Sequence, residues 1–151
     1  MSNSIEWMAG FFEGEGTISA NCWKRTAGVI EVSAANCDRS LVEPFLQRYG
    51  GCIEINNRKR SKKWRKVWKW KCGARKSVRP ISELMLFFTS TRNKRRAELA
   101  LQIQALKRTW QMAGRHTKEK GEEYRAKVYP LFSELQRLNL KGPRAGVAKH
   151  G

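Results

Sequence analysis

Trp7–Gly16 reads WMAGFFEGEG, and the reading of these ten residues decides the fold. Met8, Phe11 and Phe12 fall at helical spacing and form one apolar face. Gly10 and Gly14 are four apart, so they share a side of the same helix. Glycine costs about 1 kcal/mol in a helix interior relative to alanine. Two in one short helix therefore point to close backbone packing or to a helix end. Glu13 and Glu15 follow at the C-terminal end, where the helix dipole disfavours acids. A carboxylate there calls for a compensating cation. An ordinary amphipathic helix stopped by Gly14 and Gly16 has the same pattern.

Outward from this stretch, Asn3 is placed to cap the helix, with Glu6 reaching back as in a capping box. After Gly16 the period changes to two. Ile18, Ala20 and Cys22 face one way, and Thr17, Ser19, Asn21 and Trp23 the other. Lys24–Gly28 holds a turn, and Ile30, Val32 and Ala34 then alternate with Glu31, Ser33 and Ala35, which predicts an antiparallel hairpin. Asp38 is an N-cap for a second helix with the stripe Leu41, Val42, Phe45, Leu46 and Tyr49. Pro44 should kink it or shorten its first turn, and Gly50 and Gly51 end it. A second hairpin pairs Ile53 and Ile55 with Trp68, Trp70 and Cys72 on the core side. Glu54, Asn56, Arg58, Lys69 and Lys71 face outward, around the basic run of residues 57–66.

Three helices complete the chain. Ser77 caps the first, with Pro80 in its opening turn. The second runs from about Arg92 to Met112 and the third from about Glu122 to Leu138, with a bend at Pro130. The expected order is helix, two strands, helix, two strands, then helices. That is an α+β arrangement with helices on one face of an antiparallel sheet. Residues 1–140 read as one domain, followed by a short basic tail, 141–151, expected to fray.

Across 151 residues, 31 Lys and Arg face 13 acids, a formal charge of +18. Such a balance points to a polyanion, most often nucleic acid. No long apolar run suggests a membrane partner. Cys22, Cys37, Cys52 and Cys72 form no CxxC pair, which argues against zinc and dithiol chemistry. They read as buried small apolar residues of an intracellular, reducing compartment. His116 and His150 match no metal spacing, so the acids of the first helix have little competition as a catalytic centre. A polar strand ribbon can enter a DNA major groove and read base edges. The outward residues Ser19, Asn21, Trp23, Arg25, Glu31, Ser33, Asn56, Arg58, Arg60, Lys69 and Lys71 are the candidates for that contact. A merely solvated sheet face would show the same polar pattern.

Met8–Gly16, MAGFFEGEG, resembles the LAGLIDADG motif of the homing endonucleases, and the order of elements matches that family from Ser4 to about Leu138. One copy is present, and single-copy members of the family act as homodimers. The resemblance implies a sheet shaped into a DNA-binding saddle. It also implies motif helices of two subunits packed side by side through Ala9, Gly10 and Gly14, with Glu13, the motif's first acid, at the same interface in a structural role that fixes the helix end. Glu15 matches the acid that binds the catalytic divalent ion, magnesium or manganese, with the Gly14 carbonyl beside it. Most members carry Asp there, so Glu15 departs by one methylene. Asn36 matches the water-positioning residue at the end of the second strand. The family's lysine before the long helix falls at Asn93 in strict register, and Lys94 is the nearest lysine, with Arg92 as an alternative. The implied function is site-specific, metal-dependent cleavage of both strands of a long, near-palindromic DNA target, in the service of intron homing. The alternative is an RNA-splicing maturase, bound to intron RNA, or a non-cleaving DNA- or RNA-binding protein on the same fold.

Overall fold

The computed structural model describes residues 3–23, 26–56, 65–114 and 117–140, with the backbone alone at 22, 23 and 26–28. The side chains of Cys22 and Trp23, the residues Arg25, Arg58 and Arg60, most of the basic run and the tail lie outside the described residues. Helix α1, Ile5–Glu15, is capped by Ser4, whose hydroxyl accepts from the Trp7 N–H. The cap is thus one residue later than the expected Asn3. Strands β1, Gly16–Trp23, and β2, Thr26–Asn36, form the first hairpin. Helix α2, Arg39–Tyr49, starts at Asp38, which accepts from both the N–H and the hydroxyl of Ser40. It runs unbroken through Pro44. Strands β3, Cys52–Asn56, and β4, Val67–Gly73, follow.

The chain then makes a 3-10 turn at Ala74–Ser77, a short helix α3 at Val78–Leu84, a second 3-10 turn at Met85–Phe87, and two long helices. These are α4, Thr91–Met112, and α5, Lys118–Asn139. Ser77 stands at the N-cap position of α3 as expected, but its side chain makes no capping bond: it is buried, and its hydroxyl donates to the Ala74 carbonyl. Helix α5 begins a turn before the expected start because Thr117 accepts from the Lys120 N–H and caps it there.

The sheet order is β1-β2-β4-β3, antiparallel throughout. Its inner face carries Ile18, Ile30, Val32, Ala34, Trp70 and Cys72, all buried against Met8, Phe12, Phe45, Leu99 and Ile103 from the helices. Trp70 is the hub. Its ring lies 5.1 Å from that of Phe45 and its indole N–H donates to the Gly50 carbonyl at 2.8 Å. Gly51 has φ +86, and a Cβ there would collide with the Lys71 carbonyl, so only glycine fits. Ile55 is 44% exposed, because β3 is the edge strand. A satellite cluster of Tyr124 and Val128 with Leu106 and Trp110 joins the far ends of α4 and α5. Two of the cysteines depart from the expected burial. Cys37 lies exposed between β2 and α2, Cys52 is exposed at the start of β3, and only Cys72 is buried among those described.

Candidate active site

Glu13 and Glu15 end α1, and the structure gives them different surroundings. The Glu13 carboxylate accepts from the N–H groups of Thr89 and Ser90, each at 2.9 Å, and from the Thr89 hydroxyl at 2.8 Å. It thus fills the orphan donors at the start of α4, where the helix dipole favours an anion. Burial pushes the carboxyl up, but the bonds from Ser90, Thr89 and Asn93 together hold it below its ordinary range. This is the compensation its place in the sequence calls for, supplied by a helix N-terminus. The bonds tie the end of α1 to the start of α4, the structural role expected of the motif's first acid.

Glu15 is exposed, and among the described residues it makes no hydrogen bond or ion pair. It stands immediately before Gly16, which pairs with Ala34. Asn36 is two residues past that row, so β2 ends where β1 begins, and Asn36 and Glu15 share one end of the sheet. The Asn36 carbonyl oxygen accepts from the Asp38 N–H at 2.9 Å, which fixes the side chain. The Gly14 carbonyl, in the last turn of α1, has no partner within the helix.

The basic cluster Arg92–Arg96 separates into committed and free cations. Arg92 donates to the carbonyls of Leu138 and Leu140, capping the end of α5. Arg95 grips both carboxylate oxygens of Glu134 at 2.9 Å. Arg96 is buried, donates to the Asn93 carbonyl oxygen at 3.0 Å, and has its charge disfavoured by desolvation. Lys94 alone of the four is exposed and, among the described residues, unpaired. The Arg92 guanidinium, the alternative to Lys94, is engaged by these carbonyls at the end of α5. None of these long-range ties is visible in the sequence, where the five residues read as one patch.

The motif helix has a filled and an open side. Ala9 is fully buried within this chain, next to Met8 and Phe12, and so does not face outward as expected. The helical period places it with the core stripe rather than with the glycines. A Cβ added at Gly16 would strike the Phe12 ring, whereas one added at Gly10 or Gly14 meets nothing within 4 Å.

On the outer sheet face, Asn21 and Asn56 are exposed and Ser19 is half-buried. Ser33 is 7% exposed, contrary to its place among the expected contacts. It sits mid-sheet between Thr17 and Lys71, and the ion pair of Lys69 with Glu31 at 3.3 Å reaches across its row. Lys71 pairs with Glu54, which raises its pKa. Both described lysines of this face are therefore matched by acids of the same face. No group of three or more His, Cys, Asp or Glu among the described residues could hold a metal ion unaided. No described helix is long and apolar enough to cross a membrane.

No protein-family model matches the sequence, and no curated protein does either. Solved structures match it in shape. The LAGLIDADG homing endonuclease I-GzeII, in complex with its DNA target, aligns at a TM-score of 0.66 and 18% identity, over 87% of this chain and 44% of its own. I-TnaI, a homing endonuclease, aligns at 0.61 and 14% identity, over 92% of this chain and 95% of its own. The archaeal intron-encoded I-Vdi141I, complexed with DNA, aligns at 0.58 and 17% identity, over 91% and 85%. The chain spans less than half of I-GzeII and nearly all of I-TnaI. With the motif helix ending on Glu15 at the edge of a four-stranded antiparallel sheet, the chain has the fold of the LAGLIDADG homing endonucleases.

Proposed function

We propose that this chain is one subunit of a homodimeric DNA endonuclease that hydrolyses both strands of a near-palindromic site with the help of a divalent metal ion. The observation that carries the reading is the open side of α1. Gly10 and Gly14 each weaken the helix, and none of the described residues needs them to lack a side chain. A second backbone approaching that side gives them a reason. A two-fold dimer presents the same surface twice, which fits a site of two related halves.

Glu15 is on the helix that such a contact would double. The donor set suits a hard cation: a carboxylate and the Gly14 carbonyl, both oxygen. One chain holds too few acids for a closed cage. That agrees with magnesium, which is often held by one or two carboxylates and substrate phosphates and keeps several waters. A bound ion would supply Lewis-acid stabilisation of the phosphate and ease deprotonation of water. The chain's own residues position the rest. Asn36 offers its amide at the same end of the sheet, fixed by Asp38. Lys94 offers an uncommitted ammonium one turn into α4, which Glu13 ties to the end of α1. Glu31 and Glu54 hold Lys69 and Lys71 on the reading face, where phosphates or base edges could take over either partner.

The test is Glu15→Gln in the full chain. The side chain keeps its size, and glutamine and glutamate have similar helix propensity. DNA binding without metal should persist, while cleavage in magnesium falls by orders of magnitude. Near-normal cleavage by the folded variant would remove Glu15 from the active site.

A further inference from the structure

A cavity of about 520 Å³ lies between the turn that follows β4 and the far half of α4, within the roughly 300–1,000 Å³ typical of small-ligand sites. Arg75 and Val78 line one side, and Leu101, Gln104, Arg108 and Met112 the other. At 1.5 Å per residue, Gln104 is roughly 20 Å along α4 from the start that Glu13 anchors. The sheet runs the same way: β4 starts beside Asn36 and ends beside Glu31, at the opposite end from Glu15. The cavity therefore belongs neither to the Glu15 site nor to the outer sheet face.

Its lining combines three kinds of group. Val78, Leu101 and Met112 give an apolar wall. Arg75 and Arg108 are exposed and, among the described residues, paired with no carboxylate. Gln104 is only 6% exposed, and its Oε1 is buried with no hydrogen-bond partner. A buried acceptor left unmatched costs stability. The backbone beside Arg75 is also held in an unfavourable form. Ala74 has φ 52, and the fully buried Ser77 donates to its carbonyl at 2.5 Å. Such strain persists where the surroundings over-determine it, and it gathers at ligand clamps.

We propose that this cavity binds one nucleotide, with its phosphate between Arg75 and Arg108, its base on the apolar wall and a base-edge N–H donated to the Gln104 amide. Guanidiniums pair with phosphate through several charge-assisted bonds. A flat base suits the Leu101, Val78 and Met112 surface, and an amide side chain is suited to reading a base edge. The nucleotide can be free or an unstacked member of a single strand. The proposal does not depend on Glu15 being catalytic.

The test titrates the full chain, without magnesium, with AMP, inorganic phosphate, a short oligoadenylate and a short polyglutamate peptide. NMR follows the Gln104 side-chain amide, and calorimetry gives affinities. AMP should saturate and shift the Gln104 signal, with phosphate alone about tenfold weaker or worse. Gln104→Met should weaken AMP by about tenfold or more while the melting temperature holds or rises, because the unmatched acceptor is gone. A merely structural Gln104 would lose stability instead. The surface changes Arg75→Ala and Arg108→Ala should each weaken AMP without unfolding the chain. Oligoadenylate binding about tenfold tighter than AMP, with the same Gln104 shift, identifies a strand as the source; equal affinity identifies the free nucleotide. AMP that leaves Gln104 unmoved, variants that bind as the parent does, or a polyglutamate peptide that shifts Gln104 as AMP does would each overturn the proposal.

Discussion

The two flanks of α1 answer to different neighbours. On the inner flank every position is accounted for within the chain. Met8, Ala9 and Phe12 are buried, Phe12 stacks on Phe88 at 5.8 Å, and the Phe12 ring forbids a side chain at Gly16. On the outer flank none of the described residues explains the residue choice. Gly10 and Gly14 face open space, and Glu15 is unpaired among the described residues. On the proposed function, the contrast separates residues kept for this chain's own folding from residues kept for something that meets it.

Four substitutions test that division. The largest effect is expected at Glu15→Gln, which should lower cleavage by about a thousandfold, near the scale of removing one transition-state charge contact. Its thermal melt should match the parent, as an outer-flank residue requires. Phe12→Ala should act in the opposite way. It empties the inner flank and should cost about 3–5 kcal/mol of stability, read from denaturant unfolding. A mild loss would mean that the core can close over the gap.

Glu13 is the intermediate case. Glu13→Ala leaves the donors of Thr89 and Ser90 without their acceptor and should cost about 1–3 kcal/mol. Its titration gives the same role a pH signature. The folded pKa lies below the ordinary carboxylate value of 4.5. The stability it contributes is therefore present above that value and is lost as pH falls through the lower, folded one. The parent should lose more stability on acidification below about pH 4.5 than Glu13→Ala does. Identical acid profiles would remove the Glu13 carboxylate as the anchor.

The smallest effect carries the most information. Gly10→Ala should strengthen the helix by roughly 0.5–1 kcal/mol in a chain whose described residues leave that side open. If the outer flank is a dimer seam, the same change should weaken self-association measured by sedimentation. A variant that melts higher and associates as the parent does would return Gly10 to the ordinary surface.

Much of the fold was legible because apolar spacing reports burial directly. The hairpins read from Ile18, Ile30, Val32 and Trp70 are in place, and so is the α2 stripe of Val42, Phe45 and Tyr49. What failed was decided by a single local bond or by position in the sheet. Ser4 took the cap from Asn3, and Ser77 turned its hydroxyl back to Ala74. Ser33 has the right parity for the outer face, but its central strand and the Lys69–Glu31 pair enclose it. At the candidate site, separate roles for Glu13 and Glu15 were expected from the motif, but the partners that hold Glu13, Thr89 and Ser90, lie more than seventy residues away in sequence. No periodicity carries a tie of that span. The same holds for Arg92, whose commitment to Leu138 leaves Lys94 as the free cation.

The end of α5 has a consequence for solubility. Strand β1 lies at the sheet's margin, an edge of the kind that recruits strands from other molecules. Asn139 donates its amide to the Ile18 carbonyl at 3.0 Å, and Arg92 clamps the neighbouring Leu138 and Leu140 carbonyls to α4. The last turn of α5 thus serves as a guard rail along β1. Cutting the chain before Leu138 removes the guard as well as a helix turn, and leaves an edge open to aggregation between copies.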